Sequence, residues 1–362
     1  MNRPNDETLW RDEDLGLNFR GGTLDELQQG TFDAAAEAIR AGDHERATLL
    51  AAYTIEEALE PQEAYTDWTR LVPDFLARHG VSRPTIDAEL QRIDTLVRAA
   101  DGGPFDLEAG WAAFRALIGE TRTACAAGES DLALARLEAA RRVWLDHHDR
   151  FCDRIGELIS AVARHLGEGA VEAFWDEAMA RWYPNYDRFD LDRQAWDKSA
   201  RQLLHMAVSA LRGHLTGPGR RGDIVILDEG ECWALQFRPC GSGGRSFHGE
   251  PEMGLPPRFE PPFAQAVVKG RHDWAWNKPG VCLYCTHCCQ LGQRMPIRRL
   301  GYPTRVIDPP IWPRDRDRAV CTWRIYKHPS AVPAEAYAEV GERKPEWRNG
   351  RPVAPSPAKA GL

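Results

Sequence analysis

The stretch Gly213-His-Leu-Thr-Gly-Pro-Gly-Arg-Arg-Gly222 carries four glycines and a proline, and it divides the chain into parts with different hydrophobic periods. Glycine costs a helix interior about 1 kcal/mol and proline about 3 relative to alanine, so a helix that reaches this stretch ends in it. Upstream, Leu203, Leu204, Ala207, Val208 and Leu211 recur at three- and four-residue spacing, which predicts an amphipathic helix. Downstream, Asp223-Ile-Val-Ile-Leu227 and Cys232-Trp-Ala-Leu-Gln-Phe237 flank Asp-Glu-Gly-Glu and predict a β-hairpin. Residues 304–307 and 321–326 read as two further strands. The expected class is α+β: a helical bundle over 1–215, a smaller cysteine-rich α+β metal-binding domain over 222–342, and a flexible proline-bearing tail over 343–362. Residues 249–262, also rich in proline, read as a loop.

The helical part reads as two diverged copies of a hairpin, about 31–100 and 117–186. Arg40-Ala-Gly-Asp-His-Glu-Arg-Ala47 is echoed by Ala126-Ala-Gly-Glu-Ser-Asp-Leu-Ala133, and Ala77-Arg-His79 by Ala163-Arg-His165, at one constant offset. At that offset Glu63 and Asp67 correspond to Asp149 and Asp153, each pair on one helix face.

With 362 residues the chain can bury a substantial core. A net charge of −8 argues against a nucleic-acid partner, because phosphate binding needs a basic face. No run approaches the ~18 apolar residues of a membrane span, and no apolar segment follows the basic start, so a cytoplasmic location without membrane contact is expected. Arg298 and Arg299, with Arg314, Arg316 and Arg318, offer a small-anion site or a self-neutralised loop. Oligomeric state is not legible.

Chemistry concentrates in Cys282-Leu-Tyr-Cys285-Thr-His287-Cys288-Cys289, four thiols and an imidazole in eight residues. Overlapping C-x-x-C spacings, in a chain with nine cysteines and no secretion signal, point to zinc held by Cys240, Cys282, Cys285 and Cys288, with His287, Cys289 and Cys321 as substitutes. The alternative is an iron–sulfur cluster, since three cysteines at that spacing plus a remote fourth is ferredoxin-like, although no x3-C-P follows. The loop Cys240-Gly241-Ser242-Gly243-Gly244-Arg245 can let a ligand approach, and Trp274, Trp276 and Tyr284 can wall its pocket. His272 and His287 are candidate proton shuttles. In the helical part His148 and Cys152 share a face beside Asp149 and Asp153, so His148 and Asp149 are a second acid–base candidate, while a solvated helix face is the plainer reading.

Tyr284-Cys285-Thr-His-Cys288, then Gly301-Tyr-Pro303, then Cys321-Thr-Trp-Arg-Ile325 resemble the 2-amino-thiazoline-4-carboxylate hydrolase-like and 4-vinyl-reductase-like domains over roughly 110 residues. The resemblance implies a small α+β domain that holds a small organic molecule, in some members with structural zinc, and matches Cys285, Cys288 and Cys321. Cys289, the glycine loop and the helical part fall outside it. The resulting expectation is a small-molecule enzyme of hydrolase or lyase type, with a pocket where the helical and cysteine-rich parts meet. Against it stand a non-enzymatic binding module with structural zinc and an iron–sulfur redox protein.

Overall fold

A computed structural model describes residues 7–98, 102–249 and 255–353. The N-terminal part contains α1 (Leu24–Gln28), α2 (Thr31–Arg40), α3 (His44–Arg78), α4 (Arg83–Leu96), α5 (Ala109–Ala126), α6 (Ser130–Leu166), α7 (Gly169–Met179) and α8 (Trp196–Gly213). Ahead of them, however, Leu9–Asp12 (β1) and Leu17–Arg20 (β2) pair antiparallel, a correction to the all-helical reading of residues 1–215. Trp10 and Phe19 face each other across this hairpin and pack on His205 of α8, so cross-strand aromatic packing prevails over the polar composition.

The two long helical hairpins turn alike. Gly42 and Gly128 adopt φ of 75° and 73°. Gly42 N–H bonds Ile39 C=O and Asp43 N–H bonds Ala38 C=O; Gly128 and Glu129 repeat this on Cys125 and Ala124. Their acidic pairs are used differently: Glu63 is exposed and Asp67 pairs with Arg181, whereas Asp149 and Asp153 meet arginines from beyond residue 219.

α8 ends at Gly213, inside the predicted break, with Leu203, Leu204, Ala207, Val208 and Leu211 all buried. Its last turn crosses α3 at very short range: a Cβ on Gly213 would lie 2.0 Å from the Glu57 carbonyl oxygen. That carbonyl would ordinarily bond the amide of residue 61, but Pro61 has no N–H, and the freed carbonyl abuts the glycine instead.

Beyond the break, Val225–Asp228 (β3) and Cys232–Phe237 (β4) form the expected hairpin, and Val306–Asp308 (β5) and Cys321–Tyr326 (β6) complete an antiparallel sheet of order β3-β4-β6-β5. Between β4 and β5 lie α9 (Thr286–Cys289), a π-helical turn over Gln290–Arg294 and α10 (Met295–Leu300). Fully buried Gln293 pins this segment, accepting from Trp276 Nε1 (2.6 Å) and the Ile307 amide (3.0 Å) and donating to Ala336 C=O in α11 (Ala334–Ala338). The tail also needs correction: Glu346–Arg348 (β7) and Arg351–Val353 (β8) pair, and Trp347 packs on Tyr302 and His328. Residues 354–362 of that tail, and 250–254 of the proline-rich loop, lie outside the described residues.

One apolar core runs from Leu27 through α3, α6, α7 and α8 into the sheet and on to Val340. A second, around Trp144 and Phe114, sits between α2, α3, α5 and α6. The chain is thus α+β with a helical N-terminal region. No helix among the described residues is long and apolar enough to cross a membrane.

Candidate functional site

A cavity of about 270 Å³ lies where α3, α7 and α8 meet the 240–244 loop and the cysteine-bearing turn. Its walls are largely aromatic and apolar: Trp68, Trp182, Trp276, Tyr284 and Trp323, with Ala64, Met206 and Leu211 between them. Exposed Glu60 and Asn185 mark its mouth. Trp276 takes φ of 54°, a left-handed conformation costly for a bulky residue; its bond to Gln293 holds the ring in the wall.

Four thiols face this space: Cys240 from the loop after β4, Cys285 from the cap of α9, Cys288 from within α9, and Cys321 from the start of β6. Burial pushes the Cys288 and Cys321 thiols up, and each is raised further by Cys240. Cys282 lies behind the wall, fully buried. It accepts from the Cys285 thiol and from the amides of Tyr284 and Cys285, which lowers Cys282 and raises Cys285. Among the nine cysteines, all are free thiols. Among the described residues no group of three or more His, Cys, Asp or Glu side chains is placed to hold one ion.

The opposite wall carries a hydrogen-bonded series from the helical part. Arg220 grips Asp149 with both terminal nitrogens at 2.8 and 3.0 Å, and Arg245 adds a contact at 3.5 Å. Burial would raise the Asp149 carboxyl, but these two guanidinium groups hold it well below the carboxylate range. Asp149 Oδ1 lies 2.9 Å from His148 Nδ1, and His148 Nε2 lies 2.9 Å from His214 Nδ1. Burial keeps both imidazoles neutral, lowering His148 and bringing His214 well below its usual value. A permanently ionised Asp149 can only accept, so His148 carries its proton on Nδ1 and its Nε2 accepts. His214 must therefore donate from Nδ1, which leaves the Nε2 lone pair of this cavity-lining residue available as a base. Tyr65 Oη, 3.3 Å from His214 Nδ1, bonds Tyr284 Oη at 2.7 Å and accepts from the Cys152 thiol at 3.1 Å. Tyr65 and Tyr284 share a hydrogen bond that either hydroxyl can donate, and Tyr284, raised well above its usual pKa by burial, also bonds Ser242 at the cavity wall.

The sequence-predicted residues separate accordingly. Ser242, Gly243, Gly244, Trp276, His287, Cys240, Cys285 and Cys288 line the cavity. Gly243 has to be glycine, since a Cβ would stand 2.2 Å from Cys285 Sγ. Gly241 instead lets the loop touch α8, where a Cβ would meet the His214 carbonyl oxygen at 1.6 Å. Arg245 points away from the cavity to Asp153 Oδ1 at 2.6 Å. His272 is not a cavity residue: its Nε2 bonds Glu168 at 2.9 Å and its ring stacks on Trp274, which is core. His287 remains in the wall, its pKa lowered by burial to about 4. His148 and Asp149 stand behind His214. Tyr65 and Arg305 were not among the residues chosen from the sequence, Cys321 was chosen only as a substitute ligand, and only the register of α3 and α8 could have paired Tyr65 with His214.

Comparison with protein-family models, curated proteins and solved structures finds no match for this chain.

Proposed function

We propose that the protein is an enzyme acting on a small organic molecule held in the aromatic cavity, with His214 taking a proton and Tyr284 giving one. The observation that carries this reading is the Asp149-His148-His214 series ending at a cavity wall that also bears Tyr284. Anionic Asp149 orients His148 and stabilises the charge that arises when His214 is protonated, the logic of a carboxylate-backed histidine base. Tyr284, backed by Tyr65, is placed to hydrogen bond an oxygen on which negative charge develops. Apolar walls limit water and strengthen both interactions, which favours a lyase-type proton abstraction over hydrolysis. The class agrees with the small organic ligand that the resemblance of the cysteine-bearing part implies, and a cytoplasmic location belongs to the same proposal.

A metal enters the proposal through Cys240, Cys285, Cys288 and Cys321, with Cys321 in place of the more deeply buried Cys282. Zinc bound there would supply a Lewis acid; an iron–sulfur cluster, the alternative, would supply an electron. The four thiols line one wall without forming a group placed to hold one ion, so no step of the proposal runs through a metal.

The test is affinity capture of small molecules from a cell extract, followed by incubation of the retained compound with wild type, His214→Gln and Tyr284→Phe. Conversion by wild type and at least ~100-fold slower conversion by both variants, with retention of the compound by each, is the expected result. A compound retained and left unchanged by wild type would make the protein a binding module.

A further inference from the structure

We infer that the cavity selects a small monocarboxylic acid with a flat apolar body, and that Arg305 is the residue that anchors its carboxylate. This rests on the reading of the cavity as the ligand site and names the ligand's class. Arg305 is the only lysine or arginine among the lining residues. Across the cavity, burial lowers the His214 imidazole well below its usual value, so it carries no competing positive charge.

The guanidinium is arranged as a recognition group with donors to spare. Its Cζ lies 4.8 Å over the Trp323 ring, which occupies one face and leaves the N–H edge directed sideways. One terminal nitrogen, Nη2, donates to Tyr186 Oη at 2.9 Å, and Tyr186 also lines the cavity. Nε is buried and has no hydrogen-bond partner, and the carboxyl whose charge the guanidinium feels in the cavity is that of Glu60. A buried donor left unmade costs about 1–3 kcal/mol, so an acceptor supplied by a ligand gains what the fold leaves open. The aromatic rings that make up much of the wall disfavour a heavily hydrated group against them.

Charge sets the class more narrowly. A single guanidinium balances a single negative charge, whereas a phosphate dianion would leave one charge uncompensated among aromatic rings. No second lysine or arginine lines the cavity to receive another anionic group on the ligand. A volume of about 270 Å³ admits one ring with a short substituent. With the carboxylate fixed on Arg305, the remainder of the ligand is presented to Tyr284, His214 and the thiols.

The experiment compares benzoate with benzamide, which has the same shape and no charge. Both are titrated at pH 7.5 against the intrinsic tryptophan fluorescence of wild type, Arg305→Met and Arg305→Lys, with melting curves to verify folding. Wild type is expected to bind benzoate at least ~10-fold more tightly than benzamide. Arg305→Met should lose benzoate affinity by about 10- to 100-fold while benzamide changes by less than about threefold, and Arg305→Lys should fall between. Equal affinity for the two probes in wild type, or an equal loss of both in Arg305→Met, would overturn the carboxylate anchor and leave the cavity as a ligand site. Binding of neither probe to folded wild type would remove the cavity reading together with this one. Should Arg305→Met fail to fold, the wild-type preference and Arg305→Lys decide alone.

Discussion

Replacing His147 by Gln should flatten the loss of stability on acidification, because this imidazole is buried uncharged and the charges of Asp146 and Asp106 do not offset its desolvation. His147 is 3% exposed, its Nε2 lies 2.9 Å from Gln62 Oε1, and Phe105, Trp144 and Phe151 surround the ring at 5.2, 5.9 and 5.4 Å between centroids. Burial lowers its pKa from 6.5 to about 4, and the neighbouring His148 adds to the effect. In the unfolded chain the same group titrates near its ordinary ~6.5. Between those values the unfolded state binds more protons than the folded state, so stability falls as pH falls, beginning near 6.5 and levelling below about 4. Integrating that single proton from pH 7.5 to pH 5 gives a loss of about 2 kcal/mol from His147. Glutamine cannot take up the proton and can keep a hydrogen bond to Gln62. Urea unfolding of wild type and His147→Gln at pH 7.5, 6 and 5 measures the difference: the variant starts less stable at pH 7.5 and closes the gap by about 2 kcal/mol at pH 5. Parallel stability curves for the two proteins over this range would refute the argument. His287 contributes in the same direction and window, its pKa also lowered to about 4.

Gly213→Ala should destabilise by about 2 kcal/mol or more despite alanine's better helix propensity, because its Cβ would strike the Glu57 carbonyl at 2.0 Å and both partners are backbone or fixed to it; thermal unfolding reads the loss. Asp153→Ala leaves Arg245 and Arg258, bonded to it at 2.6 and 2.9 Å, with a buried positive charge less well balanced, and should cost about 3–5 kcal/mol in denaturant unfolding. Anaerobically purified protein should contain zinc or iron in an amount that Cys285→Ser, Cys288→Ser and Cys321→Ser each reduce and Cys232→Ser does not; metal content equal in all four would detach the metal from the cavity thiols.

How much of this was readable in advance follows the range of each interaction. The break at 213–222, the sheet strands after it and the turns at Gly42 and Gly128 rest on local chemistry, where glycine, proline and alternation act over a few residues. The β1–β2 hairpin escaped because its strands are four residues each and are held by His205, which lies far along the chain. Spacing also marked the cysteine run correctly as a place where thiols crowd, yet spacing carries no information about where each Cβ points. Cys282 turns into the core while Cys321, a strand away, turns to the cavity.

The same limit governs the acid–base groups. His148 and Asp149 are neighbours in sequence and their pairing is visible in the helical register, but alone they describe a polar helix face. Their meaning comes from His214, which stands in the glycine-rich break itself, and from the carbonyl freed by Pro61 that lets α8 approach α3 closely enough to bring His214 to Tyr65. A proline in one helix and a glycine at the end of another thus fix the position of the base. This yields a distinction between packing and chemistry: Gly213→Ala, by pushing α8 away, should weaken the His148–His214 bond and the tautomer it sets, whereas His214→Gln should leave the helix crossing intact. Histidine side-chain nitrogen resonances separate the two, with His148 disturbed through a moved backbone in the first variant and only through a lost partner in the second. Identical histidine spectra in the Gly213→Ala variant and wild type would mean that the close crossing does not position the base.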